Sequence, residues 1–113
     1  MTKFPQKGFY YHYKHNLAGP INNYAYEVLG VGHHTEGNHS EMRPEDLFVV
    51  YRPIYEAYVY KMGKMFDIRP LEMFMGEVEK DGKVFQRFTQ ITDRDIISEL
   101  KKKKEEMYKE YVE

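Results

Sequence analysis

The chain has 113 residues, 17 Lys and Arg against 18 Asp and Glu, and a net charge of −1, so it has the size of one domain and no overall electrostatic bias. It contains no Cys, which excludes disulfides, thiolate metal sites and thiol catalysis and fits a reducing compartment. No apolar run approaches the roughly 18–20 residues that cross a bilayer, and residues 1–5 lack the apolar centre of a signal peptide, so a soluble cytoplasmic protein without a membrane partner is expected.

The charge is unevenly placed. Residues 1–26 hold Lys3, Lys7, Lys14, His12 and His15 and no acid, interleaved with Phe4, Phe9, Tyr10, Tyr11, Tyr13, Tyr24 and Tyr26. Basic side chains among aromatics can grip a phosphate backbone and stack bases. The plainer reading, which is favoured, makes these rings the core of a small β domain with Lys on its wet face. With 11 Tyr and 7 Phe some rings must stay at the surface, where Tyr has an apolar body and a polar tip.

Residues 9–13 are strand formers bounded by Gly8 and Asn16, and residues 17–23 carry the turn chemistry of Gly19, Pro20, Asn22 and Asn23. Residues 24–31 read as a strand with Tyr26 and Val28 on one face and Glu27, Leu29 and Val31 on the other. Residues 32–46 form a polar loop. Residues 47–52 are the clearest strand, near-continuously apolar and expected to be buried on both faces. Residues 55–61 and 64–69 flank Met62 and Gly63 and read as a hairpin. Residues 71–75 fit a strand or one helical turn. Asp81 and Gly82 give a stronger hairpin signal, leading into a strand over residues 83–91.

The pattern then changes period. Thr92, Asp93, Arg94 and Asp95 form a capping-box pattern, and Ile97, Leu100, Lys104, Met107 and Tyr111 recur three or four apart with Ile96 beside them. This predicts one amphipathic helix of about five turns. Its four consecutive Lys, 101–104, are offset by Glu105, Glu106, Glu110 and Glu113 and read as a solvated face. The apolar stripe either packs on the β domain or pairs with another chain. The expected architecture is mainly β: five or six short antiparallel strands closing as a small SH3-like barrel over residues 1–91, with a C-terminal α-helix over residues 92–113, α+β by content.

Several short segments then fall into one pattern: Gly8, Tyr11-His12-Tyr13-Lys14, Tyr26-Glu27-Val28-Leu29-Gly30-Val31, His34-Thr35-Glu36, Val49-Val50-Tyr51-Arg52, Ile54-Tyr55, Arg69-Pro70-Leu71-Glu72-Met73-Phe74, Asp81-Gly82 and Arg87-Phe88. Together they resemble the bacterial domain of unknown function 1653 family over residues 8–91. The chain departs from that pattern at Phe66, where the family has Trp, at His15, where it has Gly, and in two insertions around residues 17–23 and 37–46. The helix lies beyond the family's usual end. The resemblance implies a compact β-rich domain and no established catalytic residue, cofactor or substrate.

Among residues that could carry chemistry, His34, Glu36 and His39, with His33 and Glu41 close by, could form an acid–base pair or a metal site. Their spacing matches no metal motif, and a loop tied by its own side chains is the favoured reading, so no metal or cofactor is expected. The fork of Arg69 suits a phosphate or carboxylate, with Pro70 fixing the backbone behind it. Arg52 and Arg87 share that surface or pair internally with Glu27, Glu36 or Glu72. Ser40 and Ser98 lie in no nucleophile context, and Met62, Met65, Met73 and Met75 read as core filling.

Three functional expectations follow. The leading one is a non-catalytic binding module that presents Tyr10, Tyr13, Lys14, Arg52, Tyr55 and Arg69 to RNA or single-stranded DNA. The second is a small hydrolase acting on a nucleotide or nucleic acid, with His34 as acid–base group and Glu36 and Arg69 assisting. The third is a protein-interaction module or homodimer that uses the C-terminal helix.

Overall fold

The computed structural model describes residues 3–36 and 43–109. Its elements are β1 (Gly8–His12), β2 (Ala25–His33), a 3-10 turn (Pro44–Asp46), β3 (Leu47–Pro53), α1 (Tyr58–Lys61), β4 (Asp67–Pro70), α2 (Leu71–Met75), β5 (Glu77–Lys80), β6 (Lys83–Gln86), β7 (Phe88–Gln90) and α3 (Arg94–Met107). Five strands form one antiparallel sheet in the order β4-β3-β2-β1-β7. β5 and β6 form a separate two-stranded sheet.

The expected closed SH3-like barrel is not formed: among the described residues the large sheet ends at β4 and β7. The reason lies at Arg87. The run read as one strand over residues 83–91 breaks there, so that β6 pairs with β5 while β7 pairs with β1. Arg87 keeps both backbone groups bonded, its N–H to the Gly76 carbonyl at 3.0 Å and its carbonyl to the Tyr13 N–H at 2.9 Å. The hairpin signal at Asp81 and Gly82 is realised with φ of 52° and 76°, the paired left-handed geometry that matches strand twist.

Two other expectations are corrected. Residues 55–61 do not form a strand: Lys61 and Met62 donate to the carbonyls of Ala57 and Tyr58 at 3.0 Å, closing α1, and Gly63 ends it at φ 128°. These local bonds replace a cross-strand partner, and they place Tyr60 beneath α3. Val31, read as facing away from Val28, packs with it against the same core. A register shift between Val28 and Gly30 inserts one residue and reverses the alternation beyond it.

β3 sorts the interior. Leu47, Val49 and Tyr51 are buried on one face with Tyr10, Val28 and Phe88, and α2 covers them with Leu71 and Phe74. Phe48, Val50 and Arg52 alternate as half-buried residues, so burial on both faces is only partial. The opposite face of the sheet carries Phe9, Ala25, Ile54 and Ile91 and receives α3 through Leu100 and Tyr108. The cap of α3 is Asp93, whose carboxylate accepts from the N–H groups of Asp95 and Ile96 at 2.9 and 3.1 Å.

Tyr108 anchors the far end of α3; Tyr111, named from the spacing, lies outside the described residues. The Tyr108 hydroxyl donates to the Pro53 carbonyl at 2.6 Å, and Arg52 lies 4.2 Å above its ring centroid. Glu27 joins the layers, taking Arg52 and Lys104 each at 2.9 Å. Among the described residues no helix is long and apolar enough to cross a membrane.

Tyr108→Phe leaves the buried Pro53 carbonyl without its donor and is expected to lower unfolding free energy by about 1–3 kcal/mol, whereas Leu100→Ala, which opens a cavity, should cost about 2–5 kcal/mol. Urea unfolding followed by circular dichroism measures both. Unchanged midpoints would mean that α3 is not held on the sheet by these two side chains.

Candidate functional site

The α2-facing side of the sheet leads outward from the core into a cluster of rings and charges. Tyr26 and Tyr51 meet edge to face at 5.4 Å, and both meet Phe88 in the same way. The Tyr26 and Tyr55 hydroxyls hydrogen-bond at 2.5 Å. Burial pushes both phenols upward, so they remain neutral. Farther out, His12 lies edge-on to Phe88 at 5.1 Å and beside Tyr24 at 5.8 Å. Tyr24 holds a φ of 53°, rare for an aromatic residue, and its carbonyl accepts from the His12 N–H at 3.0 Å.

β4 brings charge to this cluster. Asp67 and Arg69 lie two apart, opposite Tyr51 and Val49 in register, and so share the face of Tyr51. Arg69 Nε donates to the Tyr51 hydroxyl at 3.0 Å, and its guanidinium carbon lies 5.6 Å from the Phe88 ring centroid. Burial raises the Asp67 carboxyl, and the Arg69 charge partly opposes that. His12 is pushed down to about 4, first by burial and then by the fields of Arg69, Lys14 and Arg87. Its Nδ1 accepts the Lys14 N–H at 3.2 Å, so the neutral ring carries its proton on Nε2.

Beside His12 the chain turns into a groove of about 680 Å³, lined by Tyr13, Lys14 and His15 on one side and Lys80, Lys83 and Phe85 on the other, with Asp81 among its lining residues. The Tyr13 and Phe85 rings are near-parallel, 27° apart with centroids 6.1 Å apart. His15 is held in place: its ring stacks on Tyr11 at 3.6 Å and its Nδ1 bonds the Asn23 carbonyl at 2.8 Å. Lys80 and Lys83 are direct cross-strand partners beside the turn, a like-charge pairing that weakens a hairpin unless an anion offsets it.

Of the residues named from sequence for binding, Tyr13 and Lys14 line the groove, and Tyr55 and Arg69 belong to the ring cluster. Tyr10 is buried in the core, its hydroxyl donating to the Gln6 carbonyl at 2.8 Å. Arg52 lies on the other face of the sheet, held by Glu27 and Tyr108. His34 and Glu36 are exposed, the Glu36 N–H donating to His34 Nδ1 at 3.2 Å. His34 borders a hollow with Phe48, Val50 and Ile68, on the face that Arg69 does not share. His39 and Glu41 lie outside the described residues, among which no three His, Asp or Glu converge on a metal site.

The sequence reading named His12 within the basic N-terminal stretch but not as a binding residue, and it did not single out Asp67, Lys80, Lys83 or Phe85. His12 and Asp67 were within reach of strand alternation, each two residues from a named binding candidate, Tyr10 and Arg69. Lys80 and Lys83 flank the recognised Asp81-Gly82 turn, which puts them opposite one another. That the hairpin folds toward Tyr13 is a tertiary fact with no local signal.

The family model for a protein of unknown function (DUF1653) matches residues 8–90, most of the chain, and the chain belongs to that family. No curated protein and no solved structure matches the chain.

His12 generates a pH dependence. The unfolded chain takes up a proton near the ordinary value of 6.5, whereas the folded one does so only near 4. Stability from neutral His12 is therefore complete above pH 6.5 and is lost as pH falls from 6.5 through about 4. Thermal unfolding between pH 4 and 7.5 should show the midpoint falling in that window, and His12→Gln should flatten the slope. An equal slope in the variant would place the titrating group elsewhere.

Proposed function

We propose that this member of the family is a non-catalytic binding module for single-stranded nucleic acid, RNA or DNA, seated in the groove that Tyr13 and Phe85 line. The observation that carries the reading is the pairing of two near-parallel rings with Lys14, Lys80 and Lys83 along the same groove. Stacking of a base on an aromatic side chain contributes about 1–3 kcal/mol and tolerates any base, while Lys neutralises phosphates. A net charge of −1 gives the whole molecule no pull on an anion, so attraction comes from this local cluster. The opposed Lys80 and Lys83 support the same reading, because an anion between them relieves their repulsion. A cytoplasmic setting belongs with this proposal. The hydrolase reading has less support, since His34 and Arg69 lie on different faces of the sheet.

Fluorescence anisotropy against labelled single-stranded RNA, single-stranded DNA and duplex DNA tests the proposal. Saturable binding that prefers a single strand and weakens from low to near-physiological salt is expected. Phe85→Ala should cost about 1–3 kcal/mol of binding, and Lys83→Glu should weaken binding and flatten its salt dependence. Phe85 is 39% exposed, so its removal should leave the fold intact. Absence of binding at both salt concentrations, or indifference to both substitutions, would overturn the proposal.

A further inference from the structure

We propose that Arg69, Arg87 and His12 form a receptor for a phosphate monoester, a subsite distinct from the stacking groove and reached across His12 and Tyr13. The three side chains come from three separate elements: the last residue of β1, the edge strand β4, and the break between β6 and β7. Each is half-buried, so each combines a fixed position with an outward surface.

The donors are held and only partly used. Arg69 commits Nε to the Tyr51 hydroxyl at 3.0 Å and brings Nη1 to the Met73 sulfur at 3.5 Å, a weak acceptor. Arg87 has its backbone fixed by Gly76 and Tyr13, while its Nε is buried without a hydrogen-bond partner among the described residues. A buried guanidinium N–H left unpaired is costly, so a shift of the Arg87 side chain that lets its fork meet an acceptor is favoured. His12 has Nδ1 occupied by the Lys14 N–H, which leaves Nε2–H as a donor.

The charge matches the ligand. Arg69 and His12 both border the Phe88 ring, 5.6 and 5.1 Å from its centroid, and Arg87 precedes Phe88 with its carbonyl on the Tyr13 N–H beside His12, so the three side chains start from one neighbourhood. Among the described residues neither is in an ion pair, in contrast to Arg52, which is 2.9 Å from Glu27. Asp67 tempers Arg69 from two residues away, its own ionisation opposed by burial. Two forked cations and one neutral N–H suit an oxyanion of charge near −2, which a phosphate monoester carries at pH 7 and a phosphodiester does not. The backbone of a strand in the groove is thereby distinguished from its end or from a free nucleotide.

The test is an NMR titration of the full chain with inorganic phosphate at pH 7 and fixed ionic strength, read on the His12 ring resonances, with chloride as control. A saturable shift specific to phosphate is expected, accompanied by a rise in the pH at which His12 titrates, because a dianion beside it favours the imidazolium. Arg87→Gln should weaken phosphate about tenfold or more, whereas Lys102→Gln on the solvent face of α3 should leave it unchanged. Arg69→Lys retains the charge and should bind more weakly than the parent chain but more strongly than Arg69→Gln, a gradation that separates lost recognition from lost folding. No saturable shift, or an equal shift with chloride, would overturn the inference.

Adenosine monophosphate and a pair of oligonucleotides, 5′-phosphorylated and 5′-hydroxyl, identify the source of the phosphate. A phosphorylated strand that outcompetes the mononucleotide assigns a strand terminus, and the reverse order assigns a free nucleotide. Phosphate binding without any oligonucleotide binding would reject the groove and keep this subsite; oligonucleotide binding without a phosphate response would do the opposite.

Discussion

Tyr51 is the contact on which the two halves of this surface depend. Its ring fills the middle of the sheet's inner face, edge-on to Tyr26 and Phe74 at 5.4 Å and to Phe88 at 5.5 Å. Each such pair contributes about 0.5–1.5 kcal/mol beyond the area it buries. Its hydroxyl emerges from that packing to accept from Arg69. The core therefore fixes the first polar atom of the candidate site, and Arg69 is aimed by the same rings that stabilise the sheet. Burial keeps the phenol neutral, which maintains it as an acceptor for Arg69 throughout the working pH range.

Strand geometry gives Arg52 and Arg69 different roles. Arg52 follows Tyr51 directly and so points to the opposite face, where Glu27, which also holds Lys104, and Tyr108 meet it under α3. Its charge is neutralised and its position is structural. Arg69 pairs in register with Val49, two residues before Tyr51, and so stays on the inner side, where aromatic rings and a hydroxyl hold it and no carboxylate among the described residues is in an ion pair with it. Two arginines that each precede a proline thus differ in what they can still bind.

What could be read from the residues follows the range of the signal. β1 and β3 are set by short runs of strand-forming residues, β2 by alternation and the Asp81-Gly82 hairpin by turn chemistry, each over a few residues, and α3 by its 3.6-residue period. The reading failed where a distant contact overrides the local pattern. The bulge after Val28 reverses the facing of Val31, α1 replaces a strand beneath α3, and Arg87 divides what alternates like one strand between two sheets. For the site, Tyr13, Lys14 and Arg69 were legible as aromatic and basic residues in the right company. Phe85, Lys80 and Lys83 acquire their place only when the small sheet folds against the large one.

That small sheet also has a mechanical consequence. Its two legs meet the rest of the molecule at adjoining points, because the Arg87 N–H bonds the Gly76 carbonyl, and a side chain at position 76 would place its first carbon 2.9 Å from the Glu72 carbonyl oxygen. The hairpin is therefore a lever with a very short fulcrum and an arm of four residues, about 13 Å long. A torsion of a few degrees at residues 76 or 87 moves its tip by several tenths of an ångström to an ångström. The spacing of Tyr13 and Phe85 thereby depends on the backbone at residues 76 and 87, the second of which also holds the Tyr13 N–H.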